Sequence, residues 1–461
     1  MEKDKMLEEK IGLGTKIGML LGGMGGVPLF ALISAFLTYF YTNVVGLNPG
    51  AVGMIILISK VFDGVSDLIL GSVIDKTRTK KGVCRPWVLR MALFSIVGVI
   101  GLFTVPDIGN MGKLIYVFIS YNVSQTIIYT IMLLALTSLP TYMTRDSVQR
   151  SGLFVWSSIG QSVMTVIVSG VTLNLVTAIG GGQKAWILVS VIYAIIGGIC
   201  LFATGTLCKE NINPDEIVQE GAKVPFFTVL KSILQNKYWF EILGIVIVGA
   251  GVYVASLQMH TYYAQYILGN VELAGSMNMA YTLPLIFMGF ILLPLVKHFS
   301  KKAIMLGGVL IQFTGCVLIV IAPSSLSVIL AATAMKSIGQ SCAATMYLPM
   351  LGDSIEYGQW KTGVRSQAAL MGANGAGQKI GQGVVTAVLG GIMAAAGFDG
   401  TALEQSTQAV GSISNLFLFI PLILTVLELI IIFIYDLDKR YPQIMKELME
   451  REKNDNTDYK K

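Results

Sequence analysis

The chain has 461 residues, of which 54% are hydrophobic and 13% charged, with a mean hydropathy of +0.69. A soluble globular chain is about a quarter charged, so water cannot be the only solvent of this one. The formal net charge of +6 would suit a polyanionic partner only if it were gathered on one surface, and its placement along the chain argues against nucleic acid.

A bilayer core needs roughly 20 apolar residues per helix. Twelve such stretches are predicted, near residues 19–45, 51–74, 87–105, 113–138, 152–176, 185–207, 238–268, 273–296, 303–322, 326–351, 367–397 and 408–435. With both termini cytoplasmic, 28 of the 33 Lys and Arg fall on the inner side, 3 within spans and 2 outside. That asymmetry is the positive-inside signature, and moving the span count by one destroys it. The expected location is therefore the cell membrane, in multi-pass form, with the lipid bilayer as partner. Residues 1–16 are charged and run into a span too long for a signal-peptide core, so an uncleaved first helix is expected. The five cysteines, Cys84, Cys200, Cys208, Cys316 and Cys342, are odd in number and lack metal-site spacing, so structural thiols are expected.

Span one is rich in glycine, with Gly22, Gly23, Gly25 and Gly26 suited to close helix packing. Span two carries Lys60, Asp63 and Asp67 at i, i+3 and i+7, on one helical face. A charge at membrane depth costs on the order of 3 kcal/mol and marks a cavity or a partner. Two carboxylates one turn apart offer hard oxygen ligands to a monovalent cation or a proton, so Asp63 and Asp67 are the candidate coupling-ion site. A structural ion pair with Lys60 competes with that reading, but one lysine leaves a negative charge over. The spacing Asp63-x-x-x-Asp67 is also that of a prenyltransferase site for Mg²⁺ and diphosphate; such an enzyme needs a second acidic motif, and no other span supplies one.

Span four presents Tyr121, Gln125 and Tyr129 at i, i+4 and i+8, with Asn122 and Thr126 beside them. This stripe is suited to a hydroxylated solute along an aqueous path, and equally to interhelical hydrogen bonding. Residues 208–237 form the longest interior polar stretch and divide the spans six and six. The expected organisation is an N-terminal bundle at 1–207, a cytoplasmic linker at 208–237, a C-terminal bundle at 238–435 and a cytoplasmic tail at 436–461. Similar basic loops after spans two and eight point to two pseudo-symmetric halves around a midplane site. His260, among Tyr253, Tyr262, Tyr263 and Tyr266 near the outer end of span seven, reads as an interfacial aromatic belt. Span ten carries Lys336 and Gln340 one turn apart; span eleven carries Lys379, Gln382 and Thr386 on roughly one face. Lys379 lies far from either loop, which favours a cavity-facing role over snorkelling. Glu428 in span twelve and Glu241 at the start of span seven carry weaker signals. The glycines around Lys379 lack phosphate-loop spacing, so no ATP-driven motor is visible.

The segments YFYTNVVGL at 39–47, FDGVSD at 62–67, GSVIDKT at 71–77 and RPW at 85–87 resemble the N-terminal signature of the glycoside-pentoside-hexuronide:cation symporters. These are the melibiose and glucuronide permeases of the major facilitator superfamily. The block DSIEYGQWKTGVR at 353–365 resembles that family's loop before span eleven, and Lys379 follows its Arg365 by fourteen residues, as in the family. The similarity covers nearly the whole chain. It implies the all-α major facilitator fold of twelve transmembrane helices in two six-helix bundles. It further implies Asp63 and Asp67 as ligands of Na⁺, H⁺ or Li⁺, and Lys379 near both cation and sugar. Asp75, Lys76, Arg85, Asp353, Glu356 and Arg365 are implied as an inner gate whose salt bridges hold the halves shut. Departures bear on the solute: Val27, Leu133, Thr137 and Ser158 stand where melibiose-type permeases have their sugar-binding acids, aromatic and arginine. With those acids lost and Lys336 and Lys379 as cavity candidates, an anionic solute such as a hexuronide is compatible with the chain, as is a less polar glycoside or an amphiphile; Tyr121, Gln125, Tyr129, Lys336, Lys379 and Gln382 are the candidate solute contacts. The expectation is a cation-coupled symporter acting by alternating access, monomeric, with no cofactor besides Na⁺ or H⁺ and no enzymatic activity. A lipid or drug carrier of the same fold is the nearest alternative.

Overall fold

The computed structural model describes residues 12–79, 81–144, 146–211, 231–364, 367–402 and 404–458. Among them the chain is a succession of long helices. These are α1 Leu13–Leu37, α2 Pro49–Asp75, α3 Arg85–Phe103, α4 Gly109–Met143, α5 Ser147–Ala178, α6 Gly182–Leu207, α7 Lys237–Tyr266, α8 Leu273–His298, α9 Lys301–Ile321, α10 Leu326–Thr362, α11 Gln367–Ala395, α12 Thr407–Ile434 and α13 Leu437–Asp458. The first twelve coincide with the twelve predicted spans. Eight of them, α1, α3, α4, α6, α7, α9, α12 and the Gln149–Ala178 part of α5, are long and apolar enough to cross a membrane by length and composition.

Such helices suit lipid because their backbone groups bond internally. They also turn apolar side chains outward: Val426, Leu427, Ile430, Phe433 and Ile434 of α12 are all exposed. The interior holds aromatics and closely set backbones. In the N-terminal helices Trp186 stacks on Phe103 at 5.6 Å, with Phe36 and Phe40 beside it. A Cβ at Gly23 of α1 would lie 1.9 Å from the Ser157 carbonyl oxygen of α5, and one at Gly160 of α5 would lie 1.9 Å from that of Leu20. Only hydrogen at both positions lets these helices approach so closely.

Two helices depart from regular α geometry. Wide π-type turns occupy Ile33–Leu37 and Phe40–Val44 at the end of α1, and Asn122–Tyr129 within α4. Such turns concentrate at functional sites, and the one in α4 spans Gln125, Thr126 and Tyr129 of the polar stripe.

By internal contact the chain forms two compact units. The first takes the described parts of 1–219, 254–282 and 383–417; the second takes those of 220–253, 283–382 and 418–461. In the second unit, Tyr238, Tyr357 and Tyr435 pack edge to face. Here α13 lies against α10, where Trp360 Nε1 donates to Glu447 at 2.7 Å.

Candidate functional site: buried acids and a polar stripe

The first unit assembles its site from α2 and α4. Asp63 is 0% exposed and Lys60 6%, while Asp67, one turn beyond Asp63, is half-buried. Thr130 of α4 donates its hydroxyl to Asp63 Oδ1 at 3.0 Å. Ser66 donates to the backbone oxygens of Asp63 and Thr126, at 2.9 and 3.2 Å. Asn122 donates to Ser59 Oγ at 2.8 Å. Three hydrogen bonds therefore rivet the acid-bearing face of α2 to α4 at and just after its wide turn. Tyr121, fully buried, lies close enough to Asp63 to sense its charge. Its hydroxyl and Gln125 Oε1 have no hydrogen-bond partner among the described residues. Tyr129 stacks on Phe30 of α1 at 5.8 Å. The arrangement juxtaposes a carboxylate, hydroxyls, an amide and an aromatic face, which are the groups that bind a cation and a polyhydroxylated solute.

At one end of the same unit, the segment that follows α1 meets α7. Tyr39 donates to Gln265 Oε1 at 2.5 Å, Asn43 donates to Tyr266 at 2.6 Å, and the hydroxyls of Thr42 and Tyr262 lie 2.7 Å apart. His260 is 0% exposed, with Nδ1 2.8 Å from Asn278 Oδ1 of α8. Because that oxygen only accepts, the Nδ1 carries the proton. The aromatic-belt reading of this region is corrected: Tyr262 and Tyr263, like His260, are packed inside rather than set at an interface.

The second unit holds Lys336, Lys379 and Gln382. Lys336 is 1% exposed, its Cγ 3.3 Å from the Cβ position of Gly315 on α9. Lys379 is half-buried and Gln382 buried, on the part of α11 whose Gly377 and Gly381 pack against Leu243 and Ile247 of α7.

The residues of the implied gate have these partners. Arg85 donates Nε to the Gly205 oxygen at 2.5 Å and Nη2 to that of Thr206 at 3.3 Å, closing the carbonyl end of α6. Asp353 pairs with Lys301, both carboxylate oxygens 2.6 Å from Nζ. Glu356 accepts from the Tyr441 hydroxyl of α13. Lys76 is exposed. The Asp75 side chain and Arg365 lie outside the described residues.

Sequence reasoning missed Thr130, Lys301, Tyr441 and Glu210. The Glu210 carboxylate accepts from the backbone N–H groups of Val83, Cys84 and Arg85 at 2.6, 2.8 and 2.6 Å, capping α3. An uncharged Thr in an apolar span and a Glu in a mixed-charge linker carry no anomaly to read.

The family profile described as MFS/sugar transport protein matches residues 18–439. The chain belongs to this family. Among curated relatives of the MFS/sugar transport proteins, the uncharacterized symporter YjmB of Bacillus subtilis (strain 168) is 29% identical over 96% of this chain and 97% of its own length. The isoprimeverose transporter of Lactiplantibacillus pentosus is 27% identical over 93% and 89%. The glucuronide carrier protein homolog of Escherichia coli (strain K12) is 25% identical over 97% and 98%. Among solved structures, the nucleoside transporter NupG matches with a TM-score of 0.64 at 12% identity, over 92% of this chain and all of that one. A bacterial homologue of the drug peptide transporters PepT1 and PepT2 matches with a TM-score of 0.67 at 13% identity, over 94% and 99%. These likenesses establish the major facilitator fold. The chain is a multi-pass secondary transporter and not an enzyme, which sets aside the prenyl-transfer reading of Asp63-x-x-x-Asp67.

Proposed function

We propose that this transporter carries a glycoside, with anionic sugars such as hexuronides in its range, together with Na⁺ or H⁺, by alternating access. The observation that carries the reading is Asp63. A carboxylate fully withdrawn from water, hydrogen-bonded by the Thr130 hydroxyl and standing beside Tyr121, is the arrangement expected of a cation site that borders a solute site. Relatives named for isoprimeverose and glucuronide transport support the solute class.

In this mechanism the cation binds at Asp63 and Asp67 first and relieves their mutual repulsion. Tyr121, Gln125 and Tyr129 of the first unit are the proposed solute contacts there, and Lys336, Lys379 and Gln382 are those of the second. Each ligand raises the affinity of the other by the same factor, as linkage requires. The membrane potential contributes about 2.3 kcal/mol per charge per 100 mV, enough for roughly fifty-fold accumulation with one cation. The two-bundle division at residues 208–237 and an inward-facing location of both termini belong to the same proposal.

The test is thermal-shift binding on the purified protein, with isoprimeverose, aryl glucosides and glucuronides, in buffers with and without Na⁺ at several pH values. A sugar that stabilises the wild type more when cation is present, and loses that cation dependence in Asp63→Asn, is the expected result. Stabilisation by lysolipid or amphiphile with every sugar inert would instead support the carrier alternative. Full cation stimulation in Asp63→Asn refutes the site.

A further inference from the structure

The second unit holds a buried acid that the mechanism above leaves unused. Glu428 of α12 is 0% exposed. Its Oε2 accepts from Gln312 Nε2 of α9 at 3.1 Å, and the same amide nitrogen reaches Thr425 Oγ1 at 2.9 Å. Its Oε1 has no hydrogen-bond partner among the described residues. The same holds for Oε1 of Gln312, itself 0% exposed, and for Oε1 of Gln340 on α10. A Cβ at Gly249 of α7 would lie 3.4 Å from Glu428 Oε1 and 3.6 Å from Gln340 Nε2, so the missing side chain of Gly249 leaves a space bordered by both. Four helices thus converge on acceptor oxygens that have been stripped of water and given no donor, a condition native interiors avoid unless something else binds there.

Among the described residues, Lys336 and Cys316 are the other charged or titratable groups at this cluster. Lys336 comes from α10. Cys316 of α9 has its Sγ 3.8 Å from Thr425 Oγ1 and lies within electrostatic reach of both Lys336 and Glu428. Glu241, two turns before Gly249 on α7, instead feels Lys237, Asp436 and Lys302. The unsatisfied atoms of Glu428, Gln312 and Gln340 are all oxygen, the ligand type of hard cations.

We propose that Glu428, with the side-chain oxygens of Gln312 and Gln340, is a second site for a small singly charged cation, a proton or Na⁺, distinct from Asp63 and Asp67. It stands independently of the solute and of the first cation site.

The test is infrared difference spectroscopy of the full chain in nanodiscs, between acid and alkaline buffers and between Na⁺-free and Na⁺-containing buffers. It compares the wild type, the Asp63→Asn/Asp67→Asn double variant and Glu428→Gln. The expected result is a carboxyl signal that survives the double variant and is missing from Glu428→Gln. A signal that follows pH alone assigns the proton, and one that follows Na⁺ assigns Na⁺; either supports the site. Gly249→Val keeps the carboxyl and narrows the space beside Oε1, so it provides the measurement if Glu428→Gln does not fold. It should weaken the apparent cation affinity at least about tenfold, or 1.4 kcal/mol, and unchanged affinity overturns the proposal. So does a Glu428→Gln spectrum identical to the wild type. A carboxylate ionised under every condition, together with unfolding in Lys336→Met that adding Glu428→Gln reverses, would make Glu428 one half of a fixed ion pair and would also overturn it.

Discussion

Closing the α7 end of the first unit depends on glycines at α2 and α11, and Gly390→Ala should force that seam apart. A Cβ at Gly390 would lie 2.2 Å from the Pro49 carbonyl oxygen and 2.9 Å from its carbon. On the facing helix, a Cβ at Gly53 would lie 2.9 Å from Ala387 Cα and 3.0 Å from the Thr386 oxygen. The obstacle in both cases is backbone, which cannot rotate aside as a side chain does. Restoring an ordinary carbon–oxygen contact requires a displacement of roughly 1 Å, and overpacking of this kind costs about 1–3 kcal/mol. The cost exists only while the seam is closed, so it becomes a population shift of about 5- to 150-fold toward the open arrangement. Thr42, 0% exposed at the same end, is a suitable reporter. The five native cysteines are all buried, so a Thr42→Cys chain should react with a membrane-impermeant maleimide at essentially one position. Labelling of the purified protein should run 5 to 150 times faster in Thr42→Cys/Gly390→Ala than in Thr42→Cys alone. A double variant that melts like its parent and labels no faster refutes the reasoning.

Removing the Asp63 charge with Asn should abolish cation-dependent stabilisation, which for the wild type at one hundred times its Kd is worth about 2.7 kcal/mol and is read as a melting-temperature shift. Thr130→Val takes the donor from Asp63 Oδ1, costing about 1.5–3 kcal/mol; in a double-mutant cycle with Asp63→Asn most of that loss should vanish, and full additivity would count against the contact. Gly160→Ala should lower stability by about 1–3 kcal/mol through the Leu20 carbonyl, measured by thermal unfolding. Just beyond span ten, burial pushes the Asp353 carboxyl above the usual carboxylate range while Lys301 opposes the push. A raised folded value means the stability from this group is full below the ordinary carboxylate pKa and is lost as pH rises through the folded value. Lys301→Met removes the opposing charge, so its deficit should be near zero in acid and grow with pH to about 1–3 kcal/mol. That is less than for a fully buried pair because the Lys301 side chain is 33% exposed; Asp353→Asn should remove the pH dependence.

The helices were legible because a membrane span is recorded locally, as an unbroken apolar run of fixed length. The acids of α2 were legible for the complementary reason: a charge inside such a run is an anomaly that needs no knowledge of its neighbours. Partners were a different matter. Thr130 lies 67 residues from Asp63, and Gln312 lies 116 from Glu428, and nothing in either sequence neighbourhood predicts the meeting. Glu428 therefore read as a weak isolated signal, although its surroundings make it as anomalous as Asp63. The aromatic cluster of α7 shows the same gap in the other direction. Tyrosines near a helix end look alike whether they anchor in headgroups or pack inside, and only the bonds to Tyr39, Thr42 and Asn43 just after α1 distinguish the two. The wide turns of α4 also left no mark, since the i, i+4 stripe reads as an ordinary helical face.

The two kinds of closure in this protein differ in what they demand energetically. The α7 end of the first unit is held by neutral hydrogen bonds, Tyr39 and Asn43 to Gln265, Asn43 to Tyr266 and Thr42 with Tyr262, over glycine-mediated backbone contact. Neutral bonds contribute about 0.5–1.5 kcal/mol each, so breaking all four costs a few kcal/mol, within reach of the binding energy of one cation and one solute. The charged loops are built otherwise. Asp353 with Lys301, Glu356 with Tyr441 and Glu210 on the α3 N-terminus use charge-assisted bonds, roughly twice as strong as neutral ones. Each of these bonds joins groups of a single unit, so none of the three need break for the contact between α7 and the segment after α1 to open. Under the proposed alternating-access mechanism, weak contacts suit a surface that must open and strong ones suit helices that stay together. The neutral seam at α7 and the charge-assisted braces at α3 and α10 follow that rule.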